Sequence, residues 1–305
     1  MTLIKRLKRT KFYDVFGGFV KFRVRAFLHF FRRPWLRIKN LWQENHIKYP
    51  HFLSAVAIIK NEAPYLKEWI EYHRLVGVEK FYLYDNESTD NTKDVLAPYI
   101  KSGVVEYIYY PGDAMQRKAY NDCLKKYHLE SKWLGIFDLD EFIVPVSTKT
   151  IPEFLKTMPH GTSQLLISWL LFGSSGHKTM PAGGVLESYK NRAPESHPRY
   201  KAIVNPRRTY AAGVHGHVVF GQTIDELGEP MLRMSAKMNP AKKDQIRVHH
   251  YAVKSFEEYT LRQTRGSARS GKRKQRYHPE YFNHHDRNEV YDPIMDKWID
   301  QLKNV

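Results

Sequence analysis

Asp138, Asp140 and Glu141 place three carboxylates within four residues, where the apolar run Trp133 to Phe137 ends. A run of this kind reads as a buried strand that delivers acid groups to the edge of a sheet. On an extended backbone Asp138 and Asp140, two residues apart, face the same side, and Glu141 faces away from Asp140. Neighbouring carboxylates raise one another's pKa unless a cation joins them. The chemistry expected of the stretch is that of a metal-nucleotide site.

The elements that must carry these groups alternate along the chain. Phe52 to Ile59 reads as a strand, Ala63 to Leu75 as a helix with Pro64 in its first turn, and Lys80 to Tyr84 as a second strand. Thr92 to Tyr99, Val104 to Tyr109, Met115 to His128 and Trp133 to Phe137 continue as helix, strand, helix and strand. Such alternation implies an α/β fold with a Rossmann-like, mixed but mostly parallel sheet flanked by helices, with ligands at the carboxyl ends of the strands. Asn61, Glu62, Asp85, Asp90, Asp138 and Asp140 all fall at such ends. Later segments give a short helix at Thr150 to Met158 and strands at Gln164 to Phe172, Lys201 to Pro206, Gly213 to Val219 and Ile246 to Val253. Met231 to Lys243 and Gly266 to Arg276 read as polar loops. Ser255 and Glu258 form a capping box for a helix reaching Arg265.

Composition sets the outer bounds. The 305 residues, 42% of them hydrophobic, suffice for one large catalytic domain over 49–305. Residues 1–48 form a separate basic extension. The first 50 residues hold 13 Lys or Arg against Asp14 and Glu44, or +11 of the net +17. Phe16, Phe19, Val20, Phe27, Phe30 and Phe31 share a helical face there, which suits peripheral contact with an anionic membrane surface. No nucleic-acid-binding signature accompanies the charge, so a nucleic-acid partner is not expected. Cys123 is the single cysteine, which fits a reducing compartment and a buried apolar role. The even spread of charge at the amino terminus is unlike a secretory signal. The expected location is cytoplasmic, at the inner face of a membrane.

The segments "AIIKNEAPYLKEWIEYH", "FYLYDNESTDNT", "QRKAYNDCL" and "WLGIFDLDEFI" together resemble nucleotide-sugar glycosyltransferases of the family 2-like and family 92 groups. "SWLLFGSSGH", "VLESY", "GVHGH" and "HHYAVKSFEEYTLRQTRG" look like the family 92 type, and the resemblance covers about 52–267. It implies the glycosyltransferase A fold and transfer of a sugar from a nucleoside diphosphate sugar, first of all a UDP-sugar, with Mn²⁺ or Mg²⁺. The acceptor would be a glycan or glycolipid in surface polysaccharide or lipopolysaccharide assembly. By the same resemblance Asp140 would bind the metal, Asp138 the ribose or a metal-bound water, and His250 would be a third ligand. Its neighbour His249 would point the other way on an extended backbone. Asn61, Glu62 and Asp85 would cradle the nucleoside, Gln116 and Arg117 would lie near the sugar or diphosphate, and Arg265 would close over the diphosphate. Inverting transfer needs a general base. Its nearest match is Glu187, with Asp225 and Glu195 as alternatives, because the family's Glu-Asp pair is absent. Trp169, His215 and His217 would line the acceptor pocket; core packing is the plainer role for Trp169.

Two rival readings remain at this stage. A sugar-phosphate nucleotidyltransferase would share the core and the acidic ligands, but Asn61-Glu62-Ala63-Pro64 stands where its Gly-rich phosphate loop belongs. A non-catalytic basic adaptor would not need acidic strand ends. The membrane expectation is open to direct test: the full chain should float with anionic liposomes and a chain lacking 1–48 should not, and equal flotation of the two would refute it.

Overall fold

The computed structural model describes residues 48–231, 245–264 and 279–304. The amphipathic segment of residues 1–47, Arg265 and most of both expected polar loops lie outside them. The first half of the domain alternates as expected: β1 His51–Ile59, α1 Ala63–Leu75, β2 Lys80–Asp85, α2 Thr92–Lys101, β3 Val105–Tyr109, α3 Gln116–Tyr127 and β4 Ser131–Ile136. The second half is more irregular. It comprises β5 Glu141–Pro145, α4 Ile151–Lys156, β6 Thr162–Leu171, α5 Val185–Ser188, β7 Asn191–Arg192, β8 His197–Val204, β9 Thr209–Ala212, β10 His217–Val219, β11 Gln222–Ile224, β12 Ile246–His250, α6 Phe256–Thr264, α7 Pro279–His285, β13 Val290–Tyr291 and α8 Asp296–Lys303. Among the described residues no helix is long and apolar enough to cross a membrane.

One large sheet runs in the order β3-β2-β1-β4-β8-β6-β12-β5, with β11 also beside β6. β1, β2, β3 and β4 pair in parallel, as do β6 with β11 and with β12. β8 is antiparallel to both β4 and β6, and β5 to β12. This is the mixed, mostly parallel sheet of the expected glycosyltransferase A type.

Both faces of the sheet are covered, and residue alternation decides which side chain serves which face. In β1, Leu53, Ala55, Ala57 and Ile59 join a core with Leu66, Trp69 and Ile70 of α1, Leu96 of α2 and Trp298 of α8. Val56 and Ile58 face the other way, into a core with Ala119, Tyr120, Cys123 and Leu124 of α3. Cys123 is fully buried, and burial pushes its thiol far above the usual range, so it packs as an apolar group.

The loops after β1 and β2 are tied to each other. Asn61, in the left-handed region at φ 51°, accepts from Thr89 N at 2.7 Å through Oδ1, and its own N–H donates to Ser88 Oγ at 2.9 Å. Asp90 caps two helices at once, accepting from Ala63 N and from Thr92 N at 3.1 Å each. Gly77 ends α1 at φ 100°, where an added Cβ would stand 2.6 Å from the Pro152 ring.

One expectation fails in a consequential way. The backbone does not stay extended through the carboxylates: β4 stops at Ile136, and a tight turn separates it from β5. Glu141 N donates to Asp138 O at 3.1 Å, while Asp138 N donates to the Glu141 side chain at 2.8 Å. The turn is closed by backbone and by carboxylate together, which overrides the strand pattern.

Candidate active site

The turn changes which acid groups meet. β5 runs antiparallel to β12 in a register that sets His250 directly opposite Glu141. Asp140, Glu141 and His250 each offer a ligand atom within 4.8 Å of the other two, and all three are buried. Glu141 is thus the acid that the extended-chain reading sent to the wrong side. Among the described residues Glu141 Oε1 and His250 Nδ1 have no hydrogen-bond partner, so this buried group retains unsatisfied polar atoms. A set of two carboxylates and one imidazole fits a divalent cation.

Asp138 is held otherwise. Its Oδ1 accepts from Gln116 Nε2 at 2.9 Å and from the Tyr120 hydroxyl at 2.8 Å, and its Oδ2 takes Lys201 Nζ at 2.7 Å. Asp138 thus stands beside the three residues that could hold an ion, tied to Gln116, Tyr120 and Lys201. Gln116, expected near the sugar or diphosphate, reaches the site through Asp138, and its neighbour Arg117 is exposed.

Lys201 is 1% exposed and also lies 3.2 Å from Glu141. It comes from β8, whose antiparallel pairing sets Ala202 beside Ile136, just before the turn. Burial alone would raise the Asp138 pKa, but Lys201 brings it below the usual value. For Glu141 burial wins over Lys201 and pushes the carboxyl up to about 7. Asp140 is also buried, yet Arg262 and His250 hold it well below the ordinary range. Arg262 Nη1 lies 2.6 Å from Asp140 Oδ2, and His250 Nε2 lies 3.5 Å from the same oxygen.

Helix α1 fixes the strand that carries Glu141. Trp69 Nε1 donates to Glu141 O at 2.9 Å, the Tyr72 hydroxyl to Ile143 O at 3.2 Å, and Ile143 N to His73 Nε2 at 3.3 Å. Burial drives His73 down to about 3, so it stays neutral and can accept. β5 ends the sheet, and these side chains satisfy the edge that it would otherwise expose.

On the other flank, the Trp169 ring centre lies 4.2 Å from that of His250, 5.3 Å from His215 and 5.7 Å from His197. Trp169 is itself buried in the apolar core and packs its ring against His250, with His215 and His197 around the same ring. His217 does not line an open pocket. It is fully buried, and burial lowers it to about 3.

Other expected residues have structural work as well. Asp85 accepts from Ser88 N at 2.9 Å and from the Tyr107 hydroxyl at 2.6 Å, joining the turn after β2 to β3. Glu62 is buried and interacts electrostatically with Lys254 and Arg262. Lys254, at φ 55°, holds its ammonium 3.6 Å from the centre of the Tyr65 ring. The capping box is present in full: Ser255 Oγ donates to Glu258 at 2.6 Å, and Glu258 N donates back to Ser255 Oγ at 3.2 Å. Glu187 is exposed and pairs with Lys303 at 2.7 Å, outside the acid group. Of its alternatives, Asp225 accepts turn N–H groups from Leu227 and Glu229, and Glu195 is exposed.

Lys201 and Arg262 stand at the acid group without having been expected there, and Glu141, set apart on an extended backbone, joins it. Lys201 carried a signal, a lone cation inside "YKAIV", which a buried partner must neutralise. Arg262 carried one only through its place four residues after the capping Glu258.

Comparison with known proteins places this geometry in a family. Residues 52–288 match the model described as Glycosyltransferase family 92, and the chain belongs to that family. It is 29% identical over 192 residues to a glycosyltransferase family 92 protein of Oryza sativa subsp. japonica, covering 60% of this chain and 32% of the relative. It is 30% identical over 190 residues to the galactan beta-1,4-galactosyltransferase GALS2 of Arabidopsis thaliana, covering 55% and 36%. The chain thus spans about a third of the length of the curated relatives it matches. Among solved structures, S. aureus TarS 1-349 superposes with a TM-score of 0.35 at 17% identity, over 51% of this chain and 47% of that one.

Lys201→Met tests the electrostatic frame. Loss of the buried cation should cost about 3 kcal/mol of unfolding free energy at pH 8. The loss should be smaller at pH 5. In the parent, Glu141 is raised from 4.5 to about 7, so its stabilising contribution is complete below 4.5 and is lost as pH rises through about 7. At pH 5 it is already protonated and needs the cation less. Urea unfolding at the two pH values measures this, and a small loss equal at both would contradict it.

Proposed function

We propose that this chain is a metal-dependent glycosyltransferase that moves a sugar from a nucleoside diphosphate donor to a hydroxyl of a glycan or glycolipid. The observation that carries the reading is the meeting of Asp140, Glu141 and His250 at the sheet edge, in a chain of family 92. The names of the galactan relatives support a hexosyl group and a glycan acceptor. A divalent ion held by the three residues would neutralise charge that develops on the departing diphosphate. A set with one imidazole suits Mn²⁺ better than Mg²⁺, which prefers oxygen throughout.

The chain's own residues supply the rest. Lys201, Tyr120 and Gln116 orient Asp138 for contact with the donor's ribose. The loops held by Asn61, Asp85 and Asp90 form the nucleoside side, with Glu62 beside them. His215, half-buried beside the Trp169 ring, is the side chain proposed for contact with the acceptor sugar, because aromatic rings pack against the apolar faces of sugars. Inverting transfer requires a base to take the hydroxyl proton, and Glu187 remains the sequence-based candidate; it would have to part from Lys303 to serve. Peripheral membrane contact through the first 48 residues, on the cytoplasmic side, belongs to the same proposal and rests on sequence alone.

Release of UDP from a panel of UDP-sugars, with Mn²⁺ and a glycan acceptor, is the test. Asp140→Asn should lower turnover by about 100-fold or more, the range expected when transition-state charge stabilisation is lost. A variant that keeps parental turnover would refute the metal role. In the same assay, near-parental turnover of Glu187→Gln would remove Glu187 as the base.

A further inference from the structure

Arg262 sits where a bound cation would meet opposition. Its Nη1 lies 2.6 Å from Asp140 Oδ2 and donates to Ala252 O at 3.0 Å, so the guanidinium is held by two groups in a defined place. The oxygen it occupies is also the one facing His250 Nε2, 3.5 Å away. An ion held by Asp140, Glu141 and His250 must therefore share Asp140 with a permanent positive charge. Lys254 adds to the opposition, since it too acts electrostatically on Asp140. A guanidinium does not give up its proton, so its displacement is what frees Asp140 Oδ2 for an ion.

The Arg262 side chain is only partly enclosed. It is 33% exposed, whereas that of Asp140 is 8% exposed, and it projects from the last turns of α6. A partner that draws it away must repay a charge-assisted contact of 2.6 Å. A diphosphate does so, because it carries more negative charge than one carboxylate and matches the fork of the guanidinium.

We infer that Arg262 holds the cation site shut until a nucleoside diphosphate takes its guanidinium, so that metal and donor enter together. This rests on the metal-dependent reading above. By linkage, each ligand then raises the affinity of the other by the same factor. Arg262 is a donor-binding residue as well as a guard on Asp140.

The test follows free Mn²⁺ by electron paramagnetic resonance during titration of the full chain, with and without UDP. In the parent protein UDP should tighten Mn²⁺ binding by about tenfold or more, within the usual range of such couplings. Arg262→Met should bind Mn²⁺ alone about tenfold more tightly than the parent, because a like charge has left the site. The gain on adding UDP should shrink in that variant. Arg262→Lys keeps the charge and should bind Mn²⁺ alone no more tightly than the parent. Arg262→Gln repeats the neutral substitution should Met disturb the helix, with thermal melting as the check on folding. If the neutral variants bind Mn²⁺ alone no better than the parent while Asp140→Asn abolishes binding, the inference falls and the metal reading stands. If no form binds Mn²⁺ even with UDP, both fall.

Discussion

Everything at this site depends on one buried cation between two acids. Lys201, 1% exposed, lies 2.7 Å from Asp138 and 3.2 Å from Glu141. Without it the turn from β4 to β5 would bring unneutralised carboxylates into a protein interior, which is far more costly than any hydrogen bond formed there could offset. With it, Asp138 and Glu141 can close the turn on each other, and the chain can reverse from the parallel half of the sheet into an antiparallel edge strand. The pair does not add stability for its own sake. It permits a conformation in which Asp140 and Glu141 both face His250.

The edge strand brings a second constraint. Among the described residues β5 pairs only with β12, so its outer N–H and C=O groups need partners elsewhere. Trp69, Tyr72 and His73, all on α1, supply them. A helix that follows the first strand thereby sets the position of acids some seventy residues later, and Asp90, accepting from Ala63 N at its start, ties it to the loop after β2. His73 performs this role because it is neutral: an imidazolium could not accept from Ile143 N. The same helix thus joins the part of the site that would read the nucleoside to the part that would hold the ion.

The first half of the fold was legible because its periodicity is clean. β1 alternates side chains between two cores, and Gly77 and Gly103 punctuate it. The capping box at Ser255 was legible because it depends on a spacing of three residues and nothing distant. The resemblance led to Asp140 and His250 because local segments carry it. Glu141 was misplaced for a physical reason: its direction depends on a turn whose stability comes from Lys201, over sixty residues away, and no local pattern encodes that. Arg262 and Lys201 were overlooked as charges that a surface could have held. Glu187 lies in a motif visible in the sequence, and the fold sets it in an exposed pair with Lys303, which no local pattern announces.

In the proposed function the β5–β12 register assembles one cation site from Asp140, Glu141 and His250. Pulsed electron paramagnetic resonance of Mn²⁺ bound with UDP, in protein whose histidines carry the heavy nitrogen isotope, reads that register at the ion itself. The ion should couple to a single imidazole nitrogen, and the coupling should be lost in His250→Gln while Mn²⁺ remains bound. Mn²⁺ bound without any imidazole coupling, or with a coupling that survives His250→Gln, would contradict it.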